Sequence, residues 1–145
     1  MTVPYQRSAG PSATILVVED EILIRMDLAD YLRECGYHVI EASNADEAMA
    51  VLQSGREIGV ALSDVQMPGS MDGFGLARWV RANRPNTKVI LTSGVNRSAE
   101  LAADLCEDGP IEAKPYDHRH LADRIRRSLA EAHRAGHDTC LLRAG

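Results

Sequence analysis

Cysteine is scarce in this chain. Cys35, Cys106 and Cys140 are an odd, scattered set, which excludes a disulfide framework and leaves free thiols as the expectation. Long apolar runs are missing too. No stretch approaches the roughly 20 residues a membrane helix needs, and Met1 to Ala13 has no apolar signal core; a cytoplasmic protein without a membrane span is expected. Positive charge is in deficit: 16 Lys and Arg against 21 Asp and Glu give a net charge of -5. A broad basic field for nucleic acid is therefore excluded. The 145 residues fall well short of the roughly 250 that an eight-fold barrel uses, and they leave little room for an appended effector.

With 45% hydrophobic and 26% charged residues, the chain can bury a core as one domain. Met1 to Ala13, with two prolines and a glycine, reads as a mobile lead-in. Thr14 to Val18 (TILVV) is a short β-branched strand running into Glu19, Asp20 and Glu21. Ile24, Leu28, Tyr31, Leu32 and Cys35 then form a helical stripe that Gly36 closes. Tyr37 to Glu41 is a second strand. Asn44 with Glu47 resembles a capping box for a helix with Ala45, Ala48, Met49 and Leu52 on one face. Val60 to Ser63 ends at Asp64, and the loop QMPGSMDG leads to a helix carrying Leu76, Ala77 and Val80, stopped by Pro85. Lys88 to Thr92 is a fourth strand. A helix through Ala99 to Cys106, a short strand around Ile111 to Ala113, Lys114-Pro115 and a last helix with Leu121, Ile125, Leu129 and Ala132 complete the domain over residues 14–135. Residues 136–145 read as a tail.

Five strand-helix units imply a doubly wound α/β fold: a five-stranded parallel sheet with right-handed crossovers and helices on both faces. The flavodoxin-like order 2-1-3-4-5 puts the carboxyl ends of strands one and three at the switch point, where such sheets bind ligands. Glu19, Asp20 and Asp64 stand there. Three converging carboxylates repel one another unless a cation lies between them. Oxygen ligands without His or Cys favour Mg²⁺. Thr92 ends the fourth strand and Lys114 follows the fifth. Taken singly, each is an ordinary solvated residue; together they form a set.

The set matches a family. Over roughly Thr14 to Ala135 the sequence resembles a response-regulator receiver domain: VVEDE at Glu19 and Asp20, LSDVQMPGSMDG at Asp64, LTSG at Thr92 and AKPY at Lys114, separated by 44, 28 and 22 residues. The resemblance implies a two-component phosphoacceptor switch, not an enzyme in its own right. Asp64 would accept a phosphoryl group from a sensor histidine kinase or a phosphotransfer protein. Asp20, Asp64 and the Gln66 backbone carbonyl would hold Mg²⁺, with Glu19 acting through water. Lys114 would pair with the phosphoryl oxygens, Thr92 would donate its hydroxyl to them, and Lys114-Pro115 would be cis. Output would pass to a downstream protein, or to a homodimer, through the face built of the helix after strand four, strand five and the last helix, or the phosphoryl group would pass on along a phosphorelay. Three positions depart from the family pattern: Glu19 where aspartate is frequent, Ser70 as an extra residue in the loop, and Ile111 where an aromatic ring is common.

Other classes fit less well. A haloacid-dehalogenase-type phosphatase needs an acid two residues after its nucleophile, and that position is Gln66. A flavin or nucleotide module needs a glycine-rich loop after the first strand, where EDE would repel a phosphate. His133, His137 and Cys140 have transition-metal spacing, but Gly136 is expected to interrupt their helix and no fourth ligand is evident. His118 and His120 are expected to be solvated, as are Arg124, Arg126 and Arg127.

Overall fold

The computed structural model describes residues 13–93, 112–114 and 116–144, with 113 and 132–144 described for their backbone alone. Its strands are β1 (Thr14–Val18), β2 (His38–Ala42), β3 (Val60–Asp64), β4 (Lys88–Ser93) and β5 (Glu112–Ala113). The helices are α1 (Ile22–Glu34), α2 (Ala45–Gln53), α3 (Gly73–Asn83) and α4 (His118–Ala144). All strand pairs are parallel, in the order β2-β1-β3-β4-β5. The expected architecture is the one observed.

The apolar run of β1 supplies both faces of the sheet because successive side chains point to opposite sides. Leu16 and Val18 pack with Ala48, Leu52, Leu76 and Val80 of α2 and α3. Ile15 and Val17 pack with Leu28, Leu32, Leu121 and Ile125 of α1 and α4. A strand buried on both sides cannot slip by one residue without exchanging its two packing partners. The register pairs Val18 with Ser63 and Asp64 with Thr92. Glu19, Asp64 and Thr92 are thus brought to one end of three adjacent strands.

Local signals in the sequence act as their chemistry demands. Asn44 Oδ1 accepts from the Glu47 amide at 2.8 Å, while Glu47 Oε1 accepts from the Ser43 amide at 2.7 Å, one residue earlier than the usual box. Gly36 takes φ 101° after the C-cap Cys35, the left-handed turn expected of it. β2 begins at His38, not Tyr37, because the Tyr37 amide still donates to the α1 carbonyl of Leu32. α3 ends at Asn83, two residues before Pro85.

Four expectations are corrected. Cys35 is exposed, since α1 ends before it and buries Leu28, Ala29 and Leu32 instead. Arg124 is buried, its Nη1 donating to Glu112 Oε2 of β5, whereas Arg126 and Arg127 are exposed. His118 is half-buried against Tyr31, ring centroids 5.2 Å apart. Helix α4 runs through Gly136 to Ala144; a single interior glycine costs only about 1 kcal/mol relative to alanine, and Ala, Arg and Leu around it favour helix. The expected helix at Ala99 to Cys106, Ile111, the Lys114-Pro115 bond and the side chains of Ala132, His133, His137 and Cys140 lie outside the described residues. No helix among the described residues is long and apolar enough to cross a membrane.

Candidate functional site

Glu19 and Asp20 follow β1 directly and Asp64 closes β3, so strand register alone makes them neighbours. One carboxylate oxygen of each lies within 4.8 Å of the others. Glu19 and Asp64 are almost wholly buried, and Asp20 faces solvent. Together with Gln66, Met67 and Lys114 the two aspartates line a cleft of about 470 Å³.

Lys114 closes the cluster from the far side of the sheet. Its backbone amide donates to the Ser93 carbonyl, continuing the β4–β5 ladder. Its Nζ donates to Glu19 Oε1 at 2.8 Å and to Asp64 Oδ2 at 3.1 Å. The second oxygens are held as well: Glu19 Oε2 accepts from the Glu21 amide at 3.2 Å and Asp64 Oδ1 from the Gln66 amide at 3.2 Å. Thr92 is buried beside Asp64 on the paired strand. The structure therefore brings together Glu19, Asp20, Asp64, Gln66, Thr92 and Lys114. Ser70, the extra loop residue, lies apart and exposed, 3.5 Å from Asp46 Oδ1.

Burial raises the affinity of Asp64 and Glu19 for a proton, and the hydrogen bond from Lys114 offsets only part of that. Burial alone would lower the Lys114 pKa, yet its hydrogen bonds to Glu19 and Asp64 leave it raised. The asymmetry is physical: one ammonium draws on two carboxylates, while each carboxylate shares one ammonium and carries its own desolvation. Such a cluster is under-neutralised. Three hard oxygen donors, no His or Cys among them, and an exposed Asp20 at the mouth fit a divalent cation of the Mg²⁺ kind.

Three further residues shape the site: Gly73, the last residue of the Asp64 motif, and Arg25 and Glu41, which lie outside the motifs. Gly73 starts α3, and its amide donates to the Val65 carbonyl at 2.8 Å. A Cβ there would overlap the Asp64 carbonyl oxygen and meet Val65 Cα at 2.7 Å. The Asp72-Gly73 pair, with Asp72 Oδ1 capping the Gly75 amide, is the signal that marks it. Arg25 and Glu41 join the acidic loop to β2; an arginine in a helix and a glutamate in a strand give no such signal.

An acid cluster closed by lysine, at the switch point of a 2-1-3-4-5 parallel sheet, defines the class of α/β domains that handle a phosphoryl group on a carboxylate. The model of the response regulator receiver domain matches residues 15–126. The sensor kinase CckA of Brucella abortus is 37% identical over 121 residues, and the transcriptional regulatory protein AruR of Pseudomonas aeruginosa is 33% identical over 126. These alignments cover 81% and 83% of this chain but 13% and 51% of those proteins, so the chain spans about half or less of the curated relatives it matches. Among solved structures, a CheY-like receiver domain protein of Methanospirillum hungatei superposes with a TM-score of 0.79 at 26% identity, covering 86% of this chain and 98% of that one. The Thermotoga maritima response regulator TrrA, in complex with Mg²⁺-BeF, gives 0.72 at 27% identity, covering 80% and 98%. The chain belongs to the response regulator receiver domain family, the phosphoacceptor switch of two-component systems.

Proposed function

We propose that Asp64 is the phosphoacceptor of this domain, with a histidine kinase or a phosphotransfer protein as donor. The observation that carries the reading is Lys114 Nζ reaching both Asp64 and Glu19 within a cluster of three carboxylates. An Asp64 carboxylate oxygen attacks the phosphorus of a phosphoimidazole that carries a proton on its other ring nitrogen; the O–P bond forms, the N–P bond breaks with its electron pair staying on nitrogen, and a neutral imidazole leaves. Asp20, Asp64 and the Gln66 carbonyl would hold Mg²⁺, with Glu19 acting through water; when bound, the ion neutralises charge on the phosphoryl oxygens. Lys114 pairs with those same oxygens as they gain charge. Thr92, buried beside Asp64, offers them its hydroxyl and so couples the modification to the end of β4. The receiver then signals through a downstream protein or a second copy.

Labelling by acetyl phosphate with Mg²⁺ tests the assignment. Wild type should incorporate phosphate, and Asp64→Asn, which keeps the shape but not the nucleophile, should not. Undiminished labelling of the folded Asp64→Asn protein would overturn it.

A further inference from the structure

The Glu19–Glu21 loop must hold its carboxylates against mutual repulsion, yet the N-terminus of α1 offers little to anchor it. The N-cap residue Glu21 makes no side-chain capping hydrogen bond, and the first turn of α1 carries no acidic residue. The Glu21 amide and Lys114 hold the Glu19 carboxylate, and the loop backbone is held by the side chain of Arg25, one turn into the helix. Its Nη1 donates to the Glu19 backbone carbonyl at 3.0 Å, and its Nε donates to Glu41 Oε1 of β2 at 3.2 Å. Only 15% of its side chain is exposed. Glu41 is itself braced, since Oε2 pairs with Arg33 Nη1 at 3.2 Å. The Glu19 amide donates to the Ala42 carbonyl, next to Glu41, at 3.0 Å. Both backbone polar groups of Glu19 are therefore tied to β2, one directly and one through Arg25.

We infer that Arg25, braced by Glu41, is a positioning residue for the cation site: it sets the direction in which the Glu19–Asp20 loop presents its carboxylates. The inference rests on the Mg²⁺ site proposed above. Arg25 touches no carboxylate of the cluster, so its action runs through backbone. A guanidinium is suited to this because its planar fork serves two acceptors at a fixed angle.

The sign of one measurement separates this role from a plain charge effect. A cation near a Mg²⁺ site repels the ion, so removing it should tighten binding; removing a strut should loosen it. Mg²⁺ titrations of the whole chain at constant ionic strength, by calorimetry and by amide shifts of residues 19–21 and 64–66, read that sign. We expect Arg25→Ala to lower Mg²⁺ affinity about tenfold, the order found when outer partners of metal ligands are removed. Arg25→Gln retains an amide donor for the Glu19 carbonyl and should fall between Ala and wild type. Glu41→Gln retains an acceptor for Nε and should stay near wild type. Urea unfolding of each variant keeps stability separate, because a merely structural role would lower stability and leave the folded protein's Mg²⁺ affinity unmoved. If Arg25→Ala does not fold, Arg25→Gln carries the test. Unchanged or tighter Mg²⁺ binding by a folded Arg25 variant overturns the strut, while a wild type that binds no Mg²⁺ overturns the cation site and the strut with it.

Discussion

Lys114 lies closer to Glu19 than to the residue it is expected to serve: Nζ is 2.8 Å from Glu19 Oε1 and 3.1 Å from Asp64 Oδ2. The longer glutamate side chain, where aspartate is frequent in the family, reaches the ammonium directly. At rest, then, the lysine is shared, and on the proposed reading a phosphoryl group on Asp64 would draw it away from Glu19. The same lysine competes with any cation for these two carboxylates.

Lys114→Ala should therefore move two readouts in opposite directions. Mg²⁺ should bind severalfold more tightly, because two buried carboxylates lose their resident cation. Phosphorylation from acetyl phosphate should slow by about 10²-fold or more, as when an electrostatic stabiliser of a developing charge is deleted. The variant's melting temperature should also begin to rise at lower Mg²⁺ concentration than wild type's, since ligand binding to the folded state adds stability as the logarithm of ligand concentration over Kd. Calorimetry, a labelling time course and thermal melts check the three. Weaker Mg²⁺ binding would contradict the competition.

Tyr116 gives a prediction in pH. Burial, followed by the Glu19 charge, raises its phenol from the usual 10 to about 12. The folded state binds this proton more tightly than the unfolded state, so the contribution to stability is complete below pH 10 and is lost as pH rises through 12. Tyr116→Phe has no such proton and should show a shallower fall in stability over that window, measured by urea midpoints. Tyrosinate absorbance should show one fewer late-titrating ring in the variant. Equal slopes in the two proteins would remove Tyr116 from the account.

The frame of this fold and the heart of its site were legible in the sequence for a simple reason: both depend on short-range order. Ile15 to Val18 announce a strand buried on both faces, and Glu19, Asp20 and Asp64 follow because they end strands that such a sheet sets side by side. What was not legible depends on contacts across the chain. Arg124 looks like any arginine on a helix until β5 sets Glu112 against it. His118 is solvated by sequence and half-buried by the approach of Tyr31 from α1. Arg25 carries no sequence signal, and only the return of β2 beside β1 gives it Glu41. Gly136 reads as a stop, and the helix-forming residues on either side override it.

The Glu112–Arg124 pair makes a third prediction. Both side chains are largely buried, so removing one partner leaves an uncompensated charge. Arg124→Ala should cost about 3–5 kcal/mol, the range for breaking a buried ion pair. The double variant Glu112→Gln with Arg124→Ala should recover part of this, because no buried charge remains. Denaturant unfolding of the single and double variants measures the coupling; strictly additive losses would show that the pair is not a unit. His120, 3.1 Å from the other Glu112 oxygen but half exposed, cannot replace the guanidinium.

The last prediction sets Gly73 against Gly75, two glycines in the first turn of one helix. Alanine at either gains about 1 kcal/mol of helix propensity over glycine. At Gly73 the new Cβ runs into backbone, the Asp64 carbonyl oxygen and Val65 Cα, and backbone at the end of a fully buried strand cannot yield without moving the strand. At Gly75 it meets Met71 Cγ at 2.8 Å, the flexible side chain of a loop residue that can turn aside. Overpacking of the first kind costs about 1–3 kcal/mol, so Gly73→Ala should be destabilised while Gly75→Ala stays near wild type, by urea midpoints. Because the displaced atoms belong to Asp64 and its neighbour, Gly73→Ala should also slow acetyl phosphate labelling at saturating Mg²⁺, and Gly75→Ala should not. Equal stability and equal labelling in the two variants would mean that α3 rides free of Asp64, contrary to the hydrogen bond from the Gly73 amide to the Val65 carbonyl.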